Sequence, residues 1–238
     1  IFVCRNCTKN LNIHFSEMKR TVLIILLTYV FLVPVAQTYN RYDNYTTSHG
    51  LTNNYVECIL QDSYGFIWVG TWNGICRFDG YLFKGYQSNN IAGKWVFCVH
   101  EDRFGTMWFG TGSELVRYNR ENDNLEKLET LNALSIFNIK DDKNGCLWIC
   151  TSNGLYRYDQ RKDSILEHYY NSDTIKTLPT NDLKVLVVDE KQNLWIGTTY
   201  GGLLYFDTKT HKYTSYPYSP HSKNSIAGDK IRTLAFDS

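Results

Sequence analysis

The sequence predicts an all-β protein made of β-propeller blades, and two observations carry this prediction. The pattern D-x-x-G-x-[LIM]-W-x-[GC]-T occurs three times, and a looser fourth copy begins at Asp189. Its tryptophans recur at a nearly constant interval, because Trp68, Trp108 and Trp148 are 40 residues apart and Trp195 follows 47 residues later. A period of about 40 residues with several short strands per repeat is typical of propeller blades, which cannot bury their apolar faces alone.

Each repeat is predicted to contain four antiparallel strands joined by tight turns. Apolar runs such as 66–69 and 75–78 are rich in β-branched and aromatic residues and are bounded by Gly, Asn and Asp, which is typical of strands. The D-x-x-G and T-x-x-G segments suit turns, because Asp and Thr can bond to their own backbone and Gly accepts positive φ. Further strands are predicted before each aspartate, at 55–60, 96–100, 136–139 and 183–188, and after the second run, at 82–86. No helix is predicted, because no segment of the repeats has a period of 3.6 residues.

The repeated tryptophans and arginines are interpreted as structural. A tryptophan at a fixed repeat position is expected to pack between neighbouring blades, since aromatic rings dominate such cores. Three arginines also share one repeat position: Arg77, Arg117 and Arg157. We expect them to form a structural ladder on the blade surfaces, because repetition at equal spacing reflects architecture rather than binding.

The first 36 residues are predicted to be absent from the mature protein. Met18, Lys19 and Arg20 precede the apolar run 21–33, and a small residue, Ala36, follows it. A charged start, a short apolar core and a small residue at the end are typical of a secretory signal peptide, which is assigned to residues 18–36. Residues 1–17 are predicted to lie upstream of the true start. A membrane anchor is the alternative, but the apolar run is short for a bilayer span.

The rest of the chain is predicted to hold a linker or ring-closing strand at 37–50 and propeller repeats over 51–238. The repeats amount to about four blades plus the start of a fifth, because residues 225–237 repeat the strand that precedes each aspartate. We therefore expect an incomplete propeller fragment of a longer protein, in the form of an open array with an exposed C-terminal edge. Such an edge predicts poor stability or aggregation of the chain alone.

The composition fits a globular β-protein and argues against nucleic-acid binding. The formal net charge is +1, hydrophobic residues make up 43% and aromatic residues 15%, and no basic stripe is present. Cys4 and Cys7 lie before the predicted signal peptide, so their C-x-x-C spacing is given no metal or redox role. The other five cysteines are interpreted as small buried side chains, and their odd number argues against a full disulfide framework: Cys58, Cys76, Cys98, Cys146 and Cys150. No metal or other cofactor is predicted.

The opening of the first repeat resembles a known family. Residues 50–56, 61–74 and 77–81 are similar to the start of the two-component regulator propeller region, the extracytoplasmic sensor of hybrid two-component systems that are common in gut Bacteroidetes. The resemblance covers roughly residues 40–238. It implies a periplasmic, ligand-sensing propeller at the N-terminal side of a sensor histidine kinase that is anchored in the inner membrane.

The same resemblance implies a function and partners. Such proteins typically carry two propellers, a small β-sandwich, a membrane helix, and then histidine kinase, receiver and DNA-binding domains. They detect glycan breakdown products and switch on genes for polysaccharide use. The implied partners of this chain are an oligosaccharide ligand, the remaining propeller and kinase parts of the parent, and a second copy in a homodimer. Histidine kinase activity is expected in the missing parts.

Ligand contacts are expected on one face of the propeller. In a four-stranded blade the T-x-x-G turn joins strands two and three, on the face that also carries the loops between blades. This face has the least repetitive residues, including the loop 89–94, and aromatic and amide side chains can stack on and bond to sugar rings. The candidate ligand-binding residues are Trp72, Asn73, Trp95, Asn153 and Tyr200.

Two other functions stay open on the sequence. An exported lyase or glycoside hydrolase would need paired carboxylates facing a cleft. The available side chains have no partner fixed by spacing: Glu57, Glu101, Glu114, Asp182, His100 and His168. A binding or scaffold propeller would lack a signalling partner altogether. We expect no catalytic residue in this chain. Sequence beyond Ser238 separates signalling from the other two functions, and glycan hydrolysis assays separate the last two.

Overall fold

The computed structural model describes residues 42–86, 94–131, 133–174, 177–223 and 225–237. The chain divides into two compact units, 1–44 and 45–238, and all the strands belong to the second. The predicted signal peptide and the segment before it lie outside the described residues. Within the described ranges, no helix is long and apolar enough to cross a membrane.

Four antiparallel sheets of four strands each form the described fold, as the repeats predict. Blade 1 contains β1 (Val56–Gln61), β2 (Ile67–Thr71), β3 (Gly74–Phe78) and β4 (Phe83–Tyr86). Blade 2 contains β5 (Val96–Glu101), β6 (Met107–Thr111), β7 (Leu115–Asn119) and β8 (Asn124–Leu128). Blade 3 contains β9 (Ile136–Asp141), β10 (Cys146–Thr151), β11 (Gly154–Asp159) and β12 (Ser164–Tyr169). Blade 4 contains β13 (Leu183–Val188), β14 (Leu194–Thr198), β15 (Leu203–Asp207) and β16 (Lys212–Tyr216).

The strands of each blade pair in chain order, so the first strand of each lies innermost. The inner strands β1, β5, β9 and β13 contact one another in succession, which is the arrangement of propeller blades around an axis. In the described part of the chain, helical structure is limited to two short 3₁₀ turns, Thr47–His49 and Glu129–Leu131. The predicted fold class, all-β with four-stranded antiparallel blades, is therefore confirmed.

The D-x-x-G turn links the first two strands of a blade through its aspartate. In blade 1, one oxygen of Asp62 accepts hydrogen bonds from the backbone N–H of Tyr64 (3.0 Å) and of Phe66 (2.9 Å). Its other oxygen accepts a hydrogen bond from Trp68 Nε1 at 2.8 Å, and the buried carboxylate is thereby satisfied. Gly65 takes φ +91°, a left-handed conformation that suits glycine.

The looser fourth turn keeps this shape without glycine. Gln192 adopts φ +70°, the conformation that glycine takes in the other copies. Its amide nitrogen donates to the carbonyl of Asp189 (3.2 Å), and its amide oxygen accepts from the backbone of Lys143 in blade 3 (2.7 Å). These bonds offset part of the strain that a side chain with positive φ carries.

Three of the four repeated tryptophans pack between blades, as predicted, and Trp195 does not. Trp68 is fully buried and contacts Phe109 and Tyr118 of blade 2, with ring centroids 5.3 and 4.7 Å away. The equivalent contacts of the next two blades join Trp108 to Tyr158 and Trp148 to Phe206. Trp195 is only half-buried, and its ring contacts Tyr205 and Tyr216 of its own blade. The face of blade 4 that carries Trp195 is therefore more open than its counterparts.

A glycine after each of three tryptophans sets the distance to the following inner strand. A Cβ atom built on Gly110 would lie 2.5 Å from Cys98 Sγ and 2.6 Å from the carbonyl oxygen of Ile136, the first residue of β9. Gly70 and Gly197 are equally crowded, by Val96 and Ile231 respectively. Because no side chain fits, neighbouring blades can approach closely.

The arginines and cysteines have the structural surroundings predicted for them. Arg77 donates to Tyr118 Oη (2.8 Å) in blade 2, Arg117 pairs with Glu126 and Arg157 pairs with Asp142, each at 2.8 Å. All five cysteines from Cys58 onward are free thiols; Cys58 is half-buried and the other four are buried. No disulfide therefore constrains the described blades.

The C-terminal segment docks where a fifth inner strand would lie. Gly202 N–H donates to the carbonyl of Asp229 at 3.0 Å, as Gly74 N–H does to that of Lys94 in the first blade. Ile231 packs on Gly197 as Val96 packs on Gly70. The predicted strand over 225–237 does not form a ladder, however, and only an isolated bridge from Ile226 to Tyr218 is present. An inner strand pairs with the second strand of its own blade, and this sequence does not contain one for the fifth copy.

Candidate functional site

Each inner strand carries a β-bulge near its start, and the bulges direct four side chains toward one cavity. The register shifts by one residue between the first and third residues of β1, β5 and β13, and the pairing of β9 shows the same shift. A bulged residue is left out of the ladder and its side chain is re-aimed. The bulged residues are Glu57, Phe97, Phe137 and Lys184, and all four line a cavity of about 540 Å³.

Aromatic rings form a continuous row along this cavity and its rim, here called the aromatic ladder: Tyr55, Trp72, Trp95, Phe97 and Phe137. Tyr55 stacks on Trp72 with centroids 4.5 Å apart, and Trp72 stacks on Trp95 at 5.0 Å. Trp95 meets Phe97 edge to face at 6.3 Å, and Phe97 contacts Phe137 at 5.3 Å. The rings of Trp72 and Trp95 are exposed, at 37% and 51%. Half-exposed indole rings at a rim offer apolar surface to a ligand.

The T-x-x-G turn of blade 1 holds this ladder in place. Thr71 Oγ1 donates to the carbonyl of Gly74 (2.9 Å) and accepts from the backbone of Asn73 (3.0 Å), which fixes the turn that presents Trp72. Trp72 Nε1 donates to Glu57 Oε1 at 2.6 Å, so the indole is tied to a bulged residue. The bond from Gly74 N–H to the Lys94 carbonyl places the residue after Lys94, Trp95, against the turn.

Positive charge gathers at the far end of the ladder, in a group here called the cationic pole: Lys184, Lys230 and Arg232. Lys184 Nζ lies 3.3 Å from the ring centroid of Phe137, and all three residues line the same cavity. Arg232 follows Ile231 as Phe97 follows Val96, so it occupies the bulge position of the fifth copy.

Burial and two neighbouring charges act on Lys184 in opposite directions. Burial lowers the pKa of Lys184, the charge of Asp182 opposes this, and the charge of Lys230 lowers the pKa further. Within the described ranges, none of the three cations forms an ion pair with a carboxylate. Glu57, the acidic residue that lines the same cavity, is already bonded to Trp72. The arrangement can therefore accept negative charge.

The five predicted site residues do not all meet. Trp72 and Trp95 stack on each other, as expected for two residues on the same face. Asn73 is half-buried, and its amide nitrogen points to the carbonyl of Thr52 at 3.5 Å. Its role in the structure is to shape the turn.

Asn153 and Tyr200 lie apart from the ladder. The amide nitrogen of Asn153 donates a hydrogen bond to Tyr156 Oη at 3.2 Å. Tyr156 belongs to a second aromatic stack, in which the ring of His168 lies between the rings of Tyr156 and Tyr170. Tyr200 is 76% exposed, and no ring contact joins it to the ladder within the described residues. Of the loop 89–94, only Lys94 is described, and it pairs with Glu114 at 2.7 Å.

Sequence reasoning missed the bulged residues. Glu57, Phe97, Phe137 and Lys184 each lie 11 residues before the repeat tryptophan, inside strands that were interpreted as regular. The signal was available, because this position changes from acidic to aromatic to basic while the residue before it stays apolar. The bulge that turns these side chains toward the cavity depends on pairing with the second strand and is visible only in the structure.

The carboxylates and histidines considered for catalysis are largely engaged in structural contacts. Glu101 accepts hydrogen bonds from Ser63 Oγ (2.6 Å) and from its backbone (2.7 Å), which joins blades 1 and 2. His100 bonds to Asp141 of blade 3 at 2.9 Å. Two carboxylates facing one cleft are not among the contacts of the described residues, and no cluster of metal ligands occurs there.

Comparison with known proteins agrees with this architecture. Three segments of the chain, residues 50–73, 90–113 and 130–153, match the family described as "Two component regulator propeller". Among curated proteins, Histidine kinase P4 of Formosa agariphila is 37% identical over 67 residues, which are 28% of this chain and 5% of that protein. The chain thus spans a small part of the relative it matches.

Solved structures give the same picture. The extracellular domain of a protein described as a hybrid two component system of B. thetaiotaomicron is 26% identical, with a TM-score of 0.64 over 73% of this chain and 26% of that chain. Virginiamycin B lyase of Staphylococcus aureus is 18% identical, with a TM-score of 0.55 over 69% of this chain and 56% of that one, a likeness that shows the fold alone. Three of the repeats therefore match two component regulator propeller repeats, and the fold is similar to that of the extracellular domain of a hybrid two component system.

Proposed function

We propose that this chain is the periplasmic, ligand-sensing propeller of a hybrid two-component signalling protein and that its ligand is an oligosaccharide released from a glycan. The observation that carries the ligand class is the aromatic ladder, where Tyr55, Trp72 and Trp95 stack in sequence and both indole side chains are partly exposed to solvent. The similarity to an extracellular domain of a hybrid two component system supports the signalling role. Ligand binding would act on transcription through a kinase that this chain does not contain.

The test of the ligand class is calorimetric titration with a panel of plant and algal oligosaccharides. Trp72→Ala removes the central ring of the exposed stack and should weaken binding by about 2 kcal/mol, or roughly 30-fold, the loss typical of a buried aromatic contact. Tyr81→Ala is the matched control, because Tyr81 is 89% exposed and has no ring contact among the described residues. Equal affinity of the Trp72→Ala protein and wild type would contradict binding on the ladder.

The signalling part of the proposal has a separate test in the gene itself. The sequence that follows the codon of Ser238 should encode further repeats, a membrane helix and a histidine kinase core, in a parent protein anchored in the inner membrane and dimeric. Signalling requires that the ligand bind two states of the protein with different affinities. A stop codon within a blade or two of Ser238 would remove the signalling claim and leave a secreted binding propeller.

We propose that the chain itself carries out no reaction. The likeness to a lyase concerns the fold alone. The side chain of His100, which was considered for catalysis, is hydrogen-bonded to Asp141 of blade 3. Incubation of the protein with each glycan that binds should leave the glycan intact by mass spectrometry. Appearance of unsaturated or shortened products would reinstate the lyase or hydrolase alternative.

A further inference from the structure

We infer that the oligosaccharide bound on the aromatic ladder is anionic and that its carboxylate or sulfate group is held by the cationic pole. This inference rests on the proposed function and narrows its ligand class. The aromatic ladder ends at a positively charged side chain, that of Lys184. Phe137 is its last ring, and Lys184 Nζ lies 3.3 Å from the centroid of that ring.

The geometry brings three cations to one cavity from two parts of the chain. Lys184 comes from the bulge of β13, whereas Lys230 and Arg232 come from the segment that docks on blade 4. Phe97 and Phe137 line the same cavity of about 540 Å³ as the three cations. A ligand that contacts these two rings therefore also lies near the cations. The local concentration of positive charge is not a property of the whole chain, whose formal net charge is only +1.

The charge of Asp182 acts on Lys184, but among the described residues it forms no ion pair with any of the three cations. Lys230 and Arg232 are exposed, and within the described ranges neither has a carboxylate partner. The charge of Lys230 lowers the pKa of Lys184, so these two cations repel each other, while Asp182 has the larger and opposite effect. An external anion would relieve this repulsion and could form charge-assisted hydrogen bonds, for which the planar guanidinium of Arg232 suits a carboxylate or a sulfate.

The acidic residue of the cavity favours one orientation of such a ligand. Glu57 occupies the first bulge position, at the opposite end of the row from Lys184, and is held by Trp72 Nε1. Its charge should repel the anionic group from that end. The neutral sugar rings are then expected over Trp72 and Trp95, with the anionic group at the far end of the row.

The experiment compares ligands that differ only in charge. The protein, at the full length that its gene encodes, is titrated with trigalacturonate and its methyl ester, and with a κ-carrageenan tetrasaccharide and its desulfated counterpart. We expect one anionic member to bind at least tenfold more tightly than its neutral partner, with the difference shrinking as salt rises. Preference in the first pair identifies a carboxylate ligand, and preference in the second identifies a sulfate ester.

Variants of the cationic pole then test which side chains hold the anionic group of the ligand. Lys230→Gln and Arg232→Gln should each reduce the preference for the anionic member while leaving the neutral member unchanged. Lys209→Gln, the same change at an exposed lysine outside this cavity, should leave both affinities unchanged. Both test residues are exposed, so their variants should keep the thermal midpoint of wild type.

The outcomes separate this inference from the proposed function. If neutral and anionic members bind equally well, and Trp72→Ala weakens both, the oligosaccharide site stands and the anionic specificity is wrong. The same conclusion follows if Arg232→Gln weakens both members to the same extent. If neither the anionic nor the neutral members bind, and no other oligosaccharide of the panel binds, the proposed function and this inference fail together.

Discussion

Replacing Gly110 by alanine is the sharpest test of how neighbouring blades pack. The new methyl group would lie 2.5 Å from Cys98 Sγ, 2.6 Å from the Ile136 carbonyl oxygen and 2.7 Å from Ile136 Cγ2. Real Cβ atoms do not approach other heavy atoms so closely, so β6 and β9 must move apart. Because one of the three atoms belongs to the backbone of β9, rotation of a side chain cannot relieve the clash.

We therefore predict a loss of about 2 to 3 kcal/mol in the free energy of unfolding, at the upper end of the usual cost of overpacking a core. For a chain of this length this corresponds to a fall of roughly 4–12 °C in the melting temperature. The assay is thermal and urea denaturation followed by circular dichroism. Gly112→Ala is the matched control, because the nearest atom to its Cβ would be 3.8 Å away, an ordinary contact.

A second change tests the assignment of the clash to the backbone. Cys98→Ala removes the sulfur atom but leaves the Ile136 carbonyl, so it should not rescue Gly110→Ala. In blade 1 the atoms crowding Gly70 all belong to the side chains of Cys58 and Val96, so Cys58→Ala should recover part of the loss caused by Gly70→Ala. If Gly110→Ala stays within about 0.5 kcal/mol of wild type, the range of neutral surface changes, the packing argument is refuted.

Three further predictions concern buried polar groups. Trp68→Phe removes the Nε1 bond to buried Asp62 (2.8 Å) and should cost about 1 to 3 kcal/mol by urea denaturation, whereas Trp195→Phe, at a half-buried ring, should cost less. Burial alone would raise the pKa of Asp141, but hydrogen bonds from His100 and Arg103 have a larger effect and hold this pKa well below its usual range. Its contribution to stability should therefore be complete above about pH 4 and lost as pH falls through the lowered pKa, and Asp141→Asn should flatten that part of the acid denaturation curve. Burial raises the pKa of the Cys98 thiol, so site-resolved alkylation at pH 8 should modify it only after unfolding.

Much of the fold could be predicted from the sequence because the same strand and turn pattern occurs four times. Strand positions followed from apolar runs between D-x-x-G and T-x-x-G turns, and the structure places β1, β5, β9 and β13 within a residue or two of the predicted ranges. The burial of Trp68 between blades followed from its fixed repeat position. Such features are local or periodic, so one chain carries enough information to locate them.

The structure brings together only some of the predicted site residues, for a physical reason. Trp72 and Trp95 could be placed on one face because turn type decides which end of a blade a residue occupies. The side chain of Asn73 is directed by a hydrogen bond from its amide to Thr52, 21 residues earlier in the chain. A hydrogen bond over such a separation is decided by packing.

The sequence by itself determined the repeat, the four-stranded blades and the structural role of the tryptophans, because these follow from periodicity and residue type. Only the tertiary structure revealed the cavity at the bulges, because a bulge arises where two paired strands differ by one residue. The bulge changes the direction of a side chain from the one that the regular alternation of strand residues predicts. Glu57, Phe137 and Lys184 are far apart in the chain, and nothing in the sequence of each strand places them together. Packing of successive inner strands around the axis brings them to one cavity, beside the aromatic ladder on which the proposed function rests.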